Sequence, residues 1–408
     1  MTITKTQTNT QTNTQTKIQT KTQNQTRNDA ERKPAWLDYH YVIPGLVRIG
    51  SQIRLPELEF FRVPASPDDL GIEIRIGEVG KFRARTTVTA RDGVTVYEEH
   101  LGRRVSSFKV EMGSPMHVTV APMLAKSRHV VYTNIVEALL RFSAVAQNKI
   151  LLHSACLEIG GLGVILSAKT DTGKTGTILR LLRERDARFL SDDMTIVSPD
   201  GTCQAFPKPL TISQHTLRAV AADDLTPKEW RRLRLQSRLH SKEGRGIGLW
   251  LAQSNLPIMG MNAVVQRLIP PPKYTAGRLV PCWTVASVRL SEAFIIQRGD
   301  SLTEPIDLDT AVEELLENTD DAYGFPPFAT FAPTLEIDGM GWDELRSRER
   351  DILRRALGTA ARIRRLGSDN FDWADRIPGL LTSYQPGEQP QKTIPRQRDK
   401  PDAVARVG

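Results

Sequence analysis

The sequence predicts an α/β fold, with a smaller β-rich domain before it and a helical end after it. Three observations carry that reading. The apolar run Leu162–Ser167 enters a short polar loop and leaves it with Ile178, Leu179, Leu181 and Leu182 at helical spacing. Residues 34–128 hold short apolar runs between turn signals such as Pro67-Asp68-Asp69 and Arg91-Asp92-Gly93. Residues 342–366 place Leu345, Ile352, Leu353, Ala356, Leu357, Ala360 and Ile363 on one helical face, the longest such pattern in the chain.

Residues 1–33 alternate Thr with Gln, Asn and Lys and have almost nothing apolar to bury, which predicts a disordered polar tail. Residues 34–128 form the β-rich domain, with strands expected near 71–77 and 109–112. The central domain spans residues 129–340. It opens on a helix over 130–147, where Val136, Leu139, Leu140 and Phe142 recur at helical spacing. Two apolar runs, 150–159 and Leu162–Ser167, joined by Gly160-Gly161, read as a hairpin. A helix follows over 175–185. Phe189-Leu190 is a strand ending in Ser191-Asp192-Asp193, and 194–197 is another. Residues 217–251 read as helical, basic between Lys228 and Arg245, and 280–297 returns to strand character. Residues 341–384 form the helical segment, and 385–408 a second polar tail.

The 408 residues suffice for two ordinary cores. No apolar run reaches the roughly 18 residues a transmembrane helix needs, and no signal segment opens the chain. Cys156, Cys203 and Cys282 match neither zinc spacing nor a disulfide framework. They read as plain buried thiols of a reduced, cytoplasmic protein. The net charge is +8, but residues 1–33 carry six basic and two acidic side chains, and residues 385–408 carry five and three. The excess sits mainly in the tails, which argues against a specific nucleic-acid surface.

The chemistry concentrates in Ala168-Lys169-Thr170-Asp171-Thr172-Gly173-Lys174-Thr175. This matches the phosphate-binding loop G-x-x-x-x-G-K-[ST], with Ala168 in place of the first glycine. Backbone amides of 170–175 are expected to hold phosphate oxygens, aided by the positive end of the following helix. Lys174 is expected to be exposed in the empty loop and to pair with the β- and γ-phosphates of ATP. The Thr175 hydroxyl is expected on a divalent metal, Mg²⁺ or Mn²⁺.

Asp192-Asp193 follow about one helix later, at a strand end. One carboxylate there can complete the metal shell and the other can take the proton of a substrate hydroxyl. Neighbours on a regular strand point opposite ways, so both roles require a bend. His153 precedes the loop strand by one hairpin.

The order His153-Ser154-Ala155, Gly-Gly hairpin, phosphate loop, helix and Phe189-Leu190-Ser191-Asp192-Asp193 resembles HPr kinase/phosphorylase and its relatives. That fold is also similar to the nucleotide-binding part of phosphoenolpyruvate carboxykinase. The resemblance covers residues 150–215. It implies an ATP-dependent kinase acting on a serine-type hydroxyl of a protein, peptide or small molecule, and possible homo-oligomers. It places His153 near the phosphates, ATP on residues 168–175, and metal binding and base catalysis on Asp192 and Asp193, with Asp193 and Thr175 as metal residues. Glu243-Gly244-Arg245-Gly246-Ile247-Gly248 is similar to the family's E-x-R-G-x-G segment, whose Glu binds metal. The missing first glycine and the unlike N-terminal domain leave the acceptor open.

Two further segments stand out: Glu317-Asn318-Thr319-Asp320-Asp321, a lid or a helix-ending turn, and the Pro-rich run before Lys273, a rigid connector or a way to aim Lys273 at an acidic substrate. The rival functions are a carboxykinase-like decarboxylase and an ATP-binding regulatory module without catalysis.

Overall fold

The computed structural model describes residues 36–79, 86–101, 104–170, 172–212, 216, 226–227, 231, 258–268, 273–323, 326–360 and 362–381. The expected tails, Asp171, Glu243 and most of the basic stretch 228–245 lie outside the described residues.

The chain is mixed α/β. Eight strands make the first sheet: β1 (Tyr39–Ile43), β2 (Val47–Ser51), β3 (Arg62–Val63), β4 (Ile72–Ile76), β5 (Thr86–Arg91), β6 (Val94–Leu101), β7 (Arg104–Glu111) and β8 (Met116–Val120). Their order is β3-β1-β2-β4-β8-β7-β6-β5. The pairs β2–β4 and β4–β8 are parallel and the others antiparallel.

A helical run over 128–146 links the two sheets: Arg128–Val131, one π turn Tyr132–Val136, then α1 (Glu137–Ala146). The second sheet begins with β9 (Ile150–Leu152), β10 (Ser154–Ile159) and β11 (Leu162–Ser167). Gly160 and Gly161 turn the β10–β11 hairpin with φ of 57° and 80°, values that L side chains avoid. After α2 (Lys174–Glu184) come β12 (Ala187–Ser191), β13 (Thr195–Val197) and β14 (Thr202–Gln204). The short pair β15 (Leu210–Thr211) and β16 (Lys273–Tyr274) flanks helix α3 (Ile258–Leu268) in sequence. Then follow β17 (Ser287–Arg298), β18 (Leu302–Pro305), α4 (Leu308–Ala322), α5 (Trp342–Leu357), β19 (Arg362–Ser368) and α6 (Trp373–Leu380). The second sheet runs β12-β10-β11-β17-β14-β13-β9, with β19 beside β17 and β18 beside β19. Only His153 separates β9, at one end of this path, from β10 near the other. The sheet therefore curls until its ends nearly meet at His153.

Alternation divides the core. Cys156 and Ile165 face a cluster shared by the first sheet, the 128–146 run, α4 and α5. Ala155, Leu157, Val164 and Leu166 face a second cluster under α2 and α6. The β-rich N-terminal part is thus not closed on itself: Tyr41, Ile72 and Val118 share one apolar cluster with Leu139 and Leu353.

The helical end at 341–384 needs correction. The helix stops at Leu357, and Arg362–Ser368 is a strand paired in parallel with β17. Ile363 fits both periods. Pairing along the open edge of β17 gives this segment ladder hydrogen bonds, and its Arg364 guanidinium bonds Glu292 at 2.9 Å. Cys156 and Cys203 are buried free thiols, and Cys282 is a partly exposed one. No helix among the described residues is long and apolar enough to cross a membrane.

Candidate functional site

The loop Ala168–Thr175 joins β11 to α2. Ala168 is buried and its backbone is outside the left-handed region, so alanine fits where the motif has glycine. Gly173 has φ of 128°, and a Cβ there would meet Phe371 Cδ1 at 2.9 Å and Trp373 Cζ3 at 3.2 Å. The glycine is required on both counts. It caps α2 with no side chain, so the first-turn amides of α2 have no side-chain acceptor from the cap.

Lys174 differs from expectation. It is 8 % exposed, and its buried Nζ has no hydrogen-bond partner. Burial lowers its pKa, against the pull of Asp193 and Asp192. A buried ammonium without a hydrogen-bond partner is costly to keep charged.

Asp192 and Asp193 follow β12 directly, and their side chains diverge. Asp192 is buried; its Oδ2 accepts from the Thr175 hydroxyl at 2.9 Å and its Oδ1 has no partner. Burial raises its pKa to about 6, although Lys174 favours the carboxylate. Asp193 turns towards Lys208, with Oδ2 2.5 Å from Nζ and Oδ1 3.3 Å from His153 Nε2. Burial opposes its ionisation, but Lys208 and His153 outweigh this and hold it well below the usual carboxylate range. Of the two aspartates, Asp192 is the one that touches Thr175, and the oxygens of Asp193 face Lys208 and His153.

His153 is buried where the sheet ends meet. Its Nδ1 lies 2.8 Å from the Asn318 carbonyl, which only accepts, so Nδ1 carries a proton and Nε2 faces Asp193. Burial and Lys174 lower its pKa, against the pull of Asp193. Asn318 Nδ2 also reaches Ser167 Oγ at 3.3 Å, and the Thr319 hydroxyl accepts from His153 N at 3.2 Å.

The segment 317–321 is therefore the last part of α4, packed on the loop. Asp321 Oδ2 accepts from the Thr170 amide at 3.0 Å, and Glu317 bonds Lys169 at 2.8 Å. Asp320 bonds the fully buried Arg141 at 2.8 Å, and Arg141 also bonds Glu349 at 2.8 Å. These ties fix the end of α4 over the loop.

Lys208 and Glu137 were not singled out by sequence. Lys208 Nζ lies 3.1 and 3.2 Å from the Glu137 carboxylate oxygens and 5.7 Å from the Tyr132 ring centre. Burial disfavours its charge, but Asp193 and Glu137 raise its pKa. A signal existed: Lys208 is the one charge in the otherwise apolar Ala205-Phe206-Pro207-Lys208-Pro209-Leu210. Glu137 had none beyond its place in an apolar helix.

Among the described residues no group of three or more His, Cys, Asp or Glu side chains could hold a metal ion. Asp192 Oδ1 and the Thr175 hydroxyl still offer two oxygens. That suits Mg²⁺, which commonly takes one or two protein ligands and completes its shell with waters and phosphates. No protein-family model and no curated protein matches the chain.

Proposed function

We propose that the protein is an ATP-dependent phosphotransferase that moves the γ-phosphoryl group of Mg²⁺·ATP to a hydroxyl acceptor. One observation carries the reading most: the buried, unpartnered Lys174 ammonium on a strand–loop–helix turn, beside the Thr175–Asp192 pair. The α2 amides and Lys174 bind phosphate oxygens, and Thr175 and Asp192 hold the divalent ion. That ion neutralises phosphate charge when bound. Asp193, kept ionised by Lys208, takes the proton of the acceptor hydroxyl. The sequence resemblance to HPr-kinase relatives points the same way.

The test is calorimetric titration of wild type and Lys174→Ala with Mg²⁺·ATP, followed by incubation of wild type with γ-labelled ATP and host-cell extract split into protein and small-molecule fractions. Binding lost in the variant, with label moved to one fraction, supports the reading. Equal affinity in both proteins rejects it.

A further inference from the structure

Three parallel strands end at the phosphate loop. Ser167 of β11 pairs with Ile295 of β17, and Arg298, the last residue of β17, pairs with Ser368 of β19. Carboxyl ends of parallel strands are where open α/β sheets hold their ligands. Arg298 is exposed there, yet it is tied to the loop: its Nε donates to the Thr172 carbonyl at 3.1 Å. Its guanidinium also lies 4.8 Å from the centre of the Phe371 ring.

Phe371 follows β19 by three residues and has φ of 64°, which a bulky side chain rarely adopts. Such a conformation persists where its surroundings over-determine it. The Ser368 hydroxyl and Asn370 Oδ1 each accept from the Asp372 amide at 3.2 Å. The Phe371 ring edge occupies the space that a Cβ on Gly173 would need. Arg298 and Phe371 thus meet the loop at one peptide, Thr172–Gly173.

That peptide is trans, so its carbonyl and its N–H point opposite ways. With the Thr172 carbonyl held by Arg298, the Gly173 N–H is turned away from Arg298. The Gly173 carbonyl is held in turn by the Thr177 amide at 3.1 Å, which directs the Lys174 N–H out of the open end of α2. A charge-assisted bond to a carbonyl also polarises its peptide and strengthens the N–H at the other end as a donor.

We propose that Arg298 is a positioning residue of the phosphate loop: it holds the Thr172 carbonyl so that the Gly173 amide donates to a phosphate oxygen of the nucleotide. The inference rests on the phosphotransferase reading, which places phosphate on this loop.

Two substitutions separate the bond from the charge. In Arg298→Gln the side-chain amide nitrogen stands as far along the chain as Nε, so a donor is kept and the charge is lost. In Arg298→Lys a methylene stands there, and the charge is kept one bond further out. The full chain and its Gln, Lys and Ala variants are titrated by calorimetry with Mg²⁺·ATP and with Mg²⁺·tripolyphosphate, which carries no base. Arg298→Ala should bind both ligands about 5- to 20-fold more weakly, in the range of one hydrogen bond to a charged group. Arg298→Gln should stay within about threefold of wild type, and Arg298→Lys should bind less tightly than Arg298→Gln. The reverse order marks a direct contact of the charge with phosphate and overturns the inference. A loss confined to ATP places Arg298 at the base and also overturns it. Wild type that binds both ligands, with Arg298→Ala unchanged, rejects the inference alone. Wild type that binds neither rejects the phosphotransferase reading and this inference with it.

Discussion

The Thr175 hydroxyl donates to Asp192 Oδ2 at 2.9 Å, while the next residue, Asp193, turns away to Lys208. One residue of separation at the end of β12 gives two carboxylates two environments. Asp192→Asn should weaken Mg²⁺-dependent ATP binding as well as turnover. Asp193→Asn should spare binding and slow transfer by roughly 10²–10⁴-fold, the usual contribution of a positioned base. Calorimetry with and without Mg²⁺, beside transfer rates, checks both. Identical defects in the two variants contradict the division.

Lys174→Ala should leave the fold intact despite the burial of the side chain. Its ammonium has no protein partner to strand. The expected change is a loss of ATP affinity of tenfold or more, about 1.4 kcal/mol. Circular dichroism and calorimetry on one sample separate binding from folding.

Asp321 occupies the Thr170 amide, where a phosphate oxygen is expected. Asp321→Asn removes the competing charge and should tighten ATP about two- to tenfold, in line with one exposed charge-assisted bond. The same exchange at the distant Asp351 serves as control. Weaker ATP binding in Asp321→Asn would instead make Asp321 part of the nucleotide site.

Lys208→Met leaves Glu137 and Asp193 facing each other without their shared cation. Removing one member of a buried charge pair typically costs about 3–5 kcal/mol. Urea unfolding of the variant should give a lower midpoint with an unchanged slope. A loss under about 1 kcal/mol would mean that water reaches the cluster.

Burial raises the Glu57 pKa, but Lys273 and His129 outweigh it and lower the value from 4.5 to about 2. The folded value lies below the unfolded one. Its contribution is therefore complete above pH of about 4.5 and is lost as pH falls towards about 2, roughly 3 kcal/mol in all. Glu57→Gln should flatten the stability profile in that window. Thermal melts of both proteins across it measure the difference.

The hairpin, the loop, α2 and the strand before the aspartates were legible in the residues because each is local: period-two and period-3.6 apolar spacing and a Gly-Gly turn need no distant partner. The sequence also contained Lys174, Asp192, Asp193 and His153 as the charged and polar groups of that stretch. Which aspartate meets Thr175 depends on how the chain bends after Ser191, and no local pattern records that bend. The tertiary structure alone decided that Arg362–Ser368 is a strand, since Ile363 suits either period until β17 offers an open edge. It alone assembled Glu137, Lys208, Glu57 and Lys273, which lie up to 216 residues apart along the chain. Burial and Coulomb attraction act through space, so a lysine between two prolines carries no sign of its partners until the sheets close around it.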